Sequence, residues 1–266
     1  MRGTIQNIVL GGFKCSLYLP PTYMEESIWA QRNGNDFESV PRYPVVYLLG
    51  EKNIVPLMDI IEEKMPNSKH RSRGCKPFIL LGIETPNWEK DFSPWRATPL
   101  ANRSPFTGGA PHFFEVLKTK IIPQINEKCR TDPSPTSTAI VGYSLAGLAA
   151  LYALYTTGIA SKVASVSGSL WYKDWVDYVS KQSIPSELEN GLALYLSLGK
   201  KESQGASGMM ATVDECTQKT YRALERQLLQ TGHKAEDKLY FEYNDGDHFS
   251  EVPRRTAKAI LFLEKE

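Results

Sequence analysis

Gly142-Tyr143-Ser144-Leu145-Ala146-Gly147 sets a serine among small residues, at the point where a strand-like apolar run passes into an Ala/Leu-rich stretch of helical spacing. A turn sharp enough to expose the hydroxyl between a strand and a helix needs small neighbours, so Ser144 reads as the nucleophile of a nucleophile elbow. The strict pattern is G-x-S-x-G, and this chain departs from it: Ala146 takes the place of the second glycine and Gly147 follows one residue later. A plainer alternative is that Ser144 only caps the helix, where serine is common.

A serine hydroxyl is a poor nucleophile near neutral pH and needs a base to take its proton. The chain offers four histidines. His70 lies in the basic run Lys69-His70-Arg71, His112 opens a helical stretch and His233 follows Gly232, so each reads as a solvated terminal residue. His248, in Asp245-Gly246-Asp247-His248-Phe249, follows the last strand-like run and comes after Ser144, in the chain order serine, acid, histidine that accompanies an elbow serine. The acid belongs after a strand between them, which puts Glu202 first, with the task of holding the imidazole tautomer and stabilising the imidazolium. Asp214, Glu215 and Asp245 stay open as alternatives, as does a serine–histidine pair with no acid. The oxyanion needs preorganised N–H donors, and the expected ones are Leu145, directly after the nucleophile, and Gly50 or Glu51 at the end of an earlier strand.

The elements that must position these groups alternate between strand and helix. Residues 5–10 and 13–19 are β-rich and separated by Gly11-Gly12, which predicts an antiparallel hairpin. The runs 44–50 and 78–83 are short and nearly all apolar, as suits strands covered on both faces, and 138–143, 162–167, 192–198 and 238–243 also read as strands. Helical spacing is found at 55–64, 112–129, 145–157, 216–230 and 253–264, and the alternation predicts a mainly parallel sheet with helices on both faces. Two stretches, 22–43 and 85–110, read as irregular, and the second is the expected substrate loop.

With 266 residues, one domain is expected. A net charge of +1 provides no broad positive field, so nucleic acid and anionic membranes are not expected partners. The four cysteines form no C-x-x-C pair and read as free thiols of a cytoplasmic protein. The first residues lack an apolar signal region, and no segment approaches the length of a membrane span.

Taken together, these segments resemble the esterase family of α/β-hydrolases that holds the enterochelin (ferric siderophore) esterases, S-formylglutathione hydrolase and feruloyl-esterase relatives, with the likeness running over residues 5–265. Leu49-Gly50-Glu51 stands where that family has an Asp-Gly pair, and Lys90-Asp91-Phe92-Ser93-Pro94 is similar to its Arg-Asp-Tyr-Thr-Pro. Ser167-Gly168-Ser169-Leu170-Trp171-Tyr172 is similar to its Ser-x-Ser-Leu-Trp-Trp, and Phe106-Thr107-Gly108-Gly109-Ala110 to its Gly-Gly-Ala segment.

The resemblance implies the α/β-hydrolase fold, an eight-stranded sheet with an antiparallel N-terminal hairpin, and an esterase that needs no cofactor or metal. Trp171 is the leading substrate contact, with Tyr143 beside the nucleophile. The leading substrate expectation is an enterobactin-type catecholate siderophore, for which Arg96, Arg103 and Arg130 are the cations on offer. A carbohydrate-linked acyl esterase of feruloyl or acetyl-xylan type, a peptidase, and a non-catalytic binding module on the same scaffold are the competing expectations.

Overall fold

A computed structural model of the chain describes residues 1–32, 40–51, 53–65, 74–98, 104–204 and 206–265. The N-terminal hairpin forms as expected, from β1 (Thr4–Leu10) and β2 (Phe13–Leu19), with Leu10 opposite Phe13. Gly11 and Gly12 both take positive φ at the turn, which glycine adopts at little steric cost.

Six further strands complete one eight-stranded sheet: β3 (Val45–Leu49), β4 (Ile79–Ile83), β7 (Thr138–Tyr143), β8 (Lys162–Val166), β9 (Ala193–Gly199) and β10 (Leu239–Asn244). The spatial order is β1-β2-β4-β3-β7-β8-β9-β10. β2 joins β4 antiparallel, and every pairing from β4 to β10 is parallel. This is the α/β-hydrolase arrangement expected from the sequence.

The continuous apolar runs follow from two-sided burial. Val45, Tyr47 and Leu49 of β3 point into one core and Val46 and Leu48 into the other, the period of two that a pleated strand imposes. One core is closed by α6 (Leu145–Thr156) and by Ala223, Leu224 and Leu228 of α8 (Val213–Gln230). The other is closed by α2 (Val55–Glu62) and α10 (Val252–Leu263). Each fully buried Leu or Ile on these faces stabilises the fold by roughly 1.5–3 kcal/mol.

Three departures from expectation have physical causes. The stretch 22–43 is not wholly irregular: α1 (Pro21–Arg32) occupies its first part, with mixed polarity that gives no apolar stripe to read. The helix expected over 112–129 forms as α4 (Ala110–Val116), a π-turn over Leu117–Ile121 and α5 (Ile122–Lys128); Pro123, which has no N–H, stands in the first turn of α5. Within 85–110, a short α3 (Trp88–Asp91) precedes a two-stranded ribbon of β5 (Arg96–Ala97) and β6 (Phe106–Thr107). The remaining α-helices among the described residues are α7 (Trp175–Ser180) and α9 (Ala235–Lys238). No helix among the described residues is long and apolar enough to cross a membrane, and all four cysteines are free thiols.

Candidate active site

Ser144, Ser167, Glu202 and His248 leave the sheet at the carboxyl ends of β7, β8, β9 and β10, four neighbouring strands. In open parallel sheets this end is where ligands are held.

Ser144 sits between β7 and α6 with φ 60° and ψ −126°, a conformation that costs a non-glycine residue on the order of 1–3 kcal/mol. The turn persists because its surroundings over-determine it. The Ser144 N–H donates to the Val166 carbonyl at 3.0 Å, and the Ser144 carbonyl accepts from the Ser169 N–H at 3.0 Å. Gly142 admits no side chain: a Cβ there would lie 2.1 Å from the Ala146 carbonyl oxygen. Gly147 is nearly as tight, 2.9 Å from Ser165 Oγ and 3.0 Å from the Gly142 carbonyl oxygen, while Ala146 fits with its methyl fully buried. The departure from G-x-S-x-G therefore leaves the turn closed.

Ser144 Oγ lies 3.0 Å from His248 Nε2, and His248 Nδ1 lies 2.8 Å from Glu202 Oε2. Burial by itself would raise the Glu202 carboxyl, but hydrogen bonds from His248, Ser167 and the Gly199 N–H outweigh it and hold the acid below its ordinary value. An ionised Glu202 can only accept, so Nδ1 carries the ring proton and the Nε2 lone pair faces the Ser144 hydroxyl. The Glu202 side chain is 2% exposed and that of His248 29%.

The competing acids lie elsewhere. Asp245 is exposed and pairs with Lys200 at 2.6 Å, Glu215 pairs with Lys219, and Asp214 accepts from the Tyr243 hydroxyl.

A cleft of about 330 Å³ opens over Ser144, lined by Trp88, Phe106, Tyr143, Leu145, Trp171 and Phe249 among others. The Tyr143 ring lies beside the imidazole, tilted by 31° with ring centres 5.0 Å apart, and its hydroxyl donates to the His248 carbonyl. Burial, and then the Glu202 charge, push the Tyr143 phenol well above its ordinary value, so it remains a donor. Trp171 is held by its neighbours: the Tyr172 hydroxyl donates to the Trp95 carbonyl at 2.5 Å, and the Trp95 indole N–H donates to the Lys173 carbonyl at 3.0 Å. The Gly108-Gly109-Ala110 segment packs on residues 90–95 and places Phe106 in the cleft wall.

Several expected contacts are corrected. The Gly50 N–H donates to the Ile83 carbonyl at 2.8 Å, so it is not available to an oxyanion. Gly50 and Glu51 line a smaller pocket shared with Trp88 and Tyr143, and of the two expected donors this leaves Glu51. The Leu145 N–H, at the first position of α6, has no partner within the helix, as helix geometry requires. Arg96 is exposed on the β5–β6 ribbon, outside the residues that line the cleft. Arg130 is at the opposite end of the sheet, where its carbonyl accepts from Tyr43 ahead of β3 and its guanidinium lies over the Tyr23 ring. Arg103 falls outside the described residues.

Sequence reasoning missed Trp88, Glu89, Ser169, Met210, Val213 and Phe249 on the cleft wall and Arg255 beneath Glu202. Phe249, 76% exposed, had one signal, its position directly after His248.

A family model described as "Putative esterase" matches residues 12–251. "Uncharacterized protein YbbA" of Bacillus subtilis (strain 168) is 25% identical over 229 residues, which cover 85% of this chain and 83% of that protein. Among solved structures, an IroE-like serine hydrolase from Shewanella oneidensis superposes with a TM-score of 0.72 at 20% identity, covering 98% of this chain and 80% of that one. Siderophore hydrolase EstA from Aspergillus nidulans gives 0.68 at 19% identity, covering 99% and 94%. With the family model spanning most of its length, the chain belongs to the "Putative esterase" family and is an enzyme acting on ester bonds within the α/β-hydrolase fold.

Proposed function

We propose that the chain is a serine esterase in which Ser144, His248 and Glu202 form the catalytic triad. The observation that carries this reading is the continuous path from Ser144 Oγ through both imidazole nitrogens to Glu202 Oε2, at 3.0 and 2.8 Å, on the floor of a largely apolar cleft.

In this reading Ser144 Oγ attacks the ester carbonyl as its proton passes to His248 Nε2. The carbonyl oxygen becomes an oxyanion, which the Leu145 N–H at the positive end of α6 stabilises, with Glu51 as the second donor. Collapse breaks the ester C–O bond, and His248 returns the proton to the departing alkoxide, which leaves as the alcohol. A water, deprotonated by His248, then attacks the acyl-enzyme; the bond to Ser144 Oγ breaks, the acid leaves, and His248 returns the proton to Oγ. Glu202 keeps Nδ1 protonated and offsets the positive charge of the imidazolium throughout.

The test is Ser144→Ala, assayed on p-nitrophenyl acetate. Turnover is expected to vanish while circular dichroism stays that of the parent, and an active variant removes Ser144 from its role. A fluorophosphonate probe that labels Ser144 excludes a non-catalytic binding module.

For the substrate, the walls favour an uncharged ester with an aromatic or apolar acyl group. Trp88, Phe106, Tyr143, Trp171 and Phe249 offer flat faces, and among the described residues lining the cleft none is lysine or arginine. A feruloyl-type ester fits this chemistry. A siderophore trilactone is the second reading, favoured by the likeness to a siderophore hydrolase. Its negative charge would need cations that the described wall lacks. Comparing rates on feruloyl, acetylated-sugar and trilactone esters separates the readings. The free thiols, three of them buried, support a reducing compartment such as the cytoplasm.

A further inference from the structure

Arg255, in the first turns of α10, is buried under the site, with its side chain 2% exposed. Its Nη2 donates to Glu202 Oε1 at 3.0 Å and to the Ser167 hydroxyl, and its Nη1 donates to the Asp247 carbonyl at 3.1 Å. One guanidinium thus ties together the loops after β8, β9 and β10, the last of which carries His248. Its Nε is buried with no partner among the described residues. Burying a cation is costly, and an apolar residue at such a position is often as stabilising or more so. Packing alone does not account for Arg255.

The two oxygens of Glu202 are used differently. Oε1 accepts from the Ser167 hydroxyl at 2.5 Å, the Gly199 N–H at 2.6 Å and Arg255, while Oε2 faces the imidazole. Saturating Oε1 fixes the rotation of the carboxylate and leaves Oε2 to address Nδ1.

We propose that Arg255 is the positioning residue of this site, clamping Glu202 and the His248 loop in register and balancing part of the Glu202 charge. The inference rests on the triad reading above. With the guanidinium in place, the carboxylate is shared between two cations whenever the imidazole is protonated. With it gone, the imidazolium is the sole counter-charge, so the protonated and inactive ring persists to higher pH. Loss of the cation also makes the ionised carboxylate itself less favourable, which acts in the same direction.

The other groups around the pair are accounted for. Ser167 faces Glu202 from the loop after β8, and Tyr143 covers the imidazole from β7. The Asp247 carboxylate accepts from the Phe249 N–H and the Ser250 hydroxyl, and the Lys200–Asp245 pair is exposed. Glu89 stands on the cleft wall.

The experiment is the pH profile of kcat/KM for p-nitrophenyl acetate with the full chain and two variants, R255M and R255K. In R255M the acid limb is expected to move up by about one pH unit, so that activity at the acid end falls about tenfold beyond any loss on the alkaline plateau. R255K keeps a cation and loses the fork, so the limb is expected back at the parent position with the plateau still lowered. A profile scaled down uniformly in R255M, with its limb unmoved, overturns the proposal, as does a limb in R255K that stays shifted. Should R255M fail to fold by circular dichroism, R255Q is read in its place with the same two outcomes. Parent activity and its loss in Ser144→Ala test the triad separately, so failure of this inference and failure of the esterase reading are distinct results.

Discussion

Replacing Glu202 by glutamine changes one atom's protonation chemistry and almost no volume, yet the structure gives the new amide nowhere good to point. If its NH2 took the Oε1 position it would face the Ser167 hydroxyl, the Gly199 N–H and Arg255, all of them donors in the parent. Ser167 can rotate its proton away, but the amide N–H and the guanidinium cannot. The NH2 therefore takes the Oε2 position, 2.8 Å from His248 Nδ1, and turns an acceptor into a donor there. The imidazole answers by moving its proton to Nε2, which then points a donor at the Ser144 oxygen and cannot serve as base. A wrong tautomer with intact geometry costs about 10⁴-fold in kcat, or about 5 kcal/mol of transition-state stabilisation. The assay is kcat on p-nitrophenyl acetate beside a thermal melt, to separate chemistry from folding. Stability carries its own signature. The Glu202 carboxyl is held below its ordinary value in the folded chain, so its contribution is present above the unfolded value and is lost as pH falls through the folded one. E202Q is accordingly expected to be less stable than the parent near neutrality, with the difference closing in acid. Retention of parent activity to within tenfold would refute the role given to this carboxylate.

Three other expectations are quickly checked. Gly142→Ala drives a methyl to 2.1 Å from the Ala146 carbonyl oxygen, a backbone atom that cannot swing aside, so urea unfolding should show a loss of about 3 kcal/mol along with lost activity. Ala146→Gly, which restores the strict motif, should keep activity and lose about 1 kcal/mol through helix propensity; an unaffected G142A or an inactive A146G contradicts this account of the elbow. Burial pushes the Cys15 thiol up to about 11 and raises that of Cys129, and Cys75 is also buried. Ellman's reagent at mildly alkaline pH should therefore label Cys216 first, with the other three reacting only on unfolding; equal labelling of all four in the folded chain contradicts the burial described.

What the amino-acid order could and could not disclose divides along physical lines. The central strands were readable because two-sided burial makes them short apolar runs, as in Val45–Leu49 and Ile79–Ile83. Ser144 and His248 could be singled out as candidates because an elbow has a local steric signature and because the chain has four histidines, three of them in poor positions. Glu202 could be named but not separated from Asp214, Glu215 and Asp245, since what distinguishes it is the set of donors from Ser167, Gly199 and Arg255, brought in from distant positions. Gly50 failed as an oxyanion donor because its N–H is spent on Ile83, a pairing local sequence does not encode. Arg96 and Arg130 failed because the direction of a long cationic side chain is decided by tertiary packing, in the second case by the rings of Tyr23 and Tyr43. α1 escaped notice because it has no apolar stripe to betray its period.

The candidate triad and one part of the cleft wall stand on different supports. Ser144, Glu202 and His248 follow β7, β9 and β10 of one hydrogen-bonded sheet, whereas Trp88, Glu89 and Phe106 come from the stretch between β4 and α4. None of the eight strands of that sheet lies in this stretch, so its length and its rings at Trp88 and Phe106 are not fixed by pairing within the sheet. On the proposed triad reading, the bond-breaking apparatus can be inherited unchanged while the choice of molecule drifts, so likeness in this scaffold informs on the reaction far better than on its natural diet.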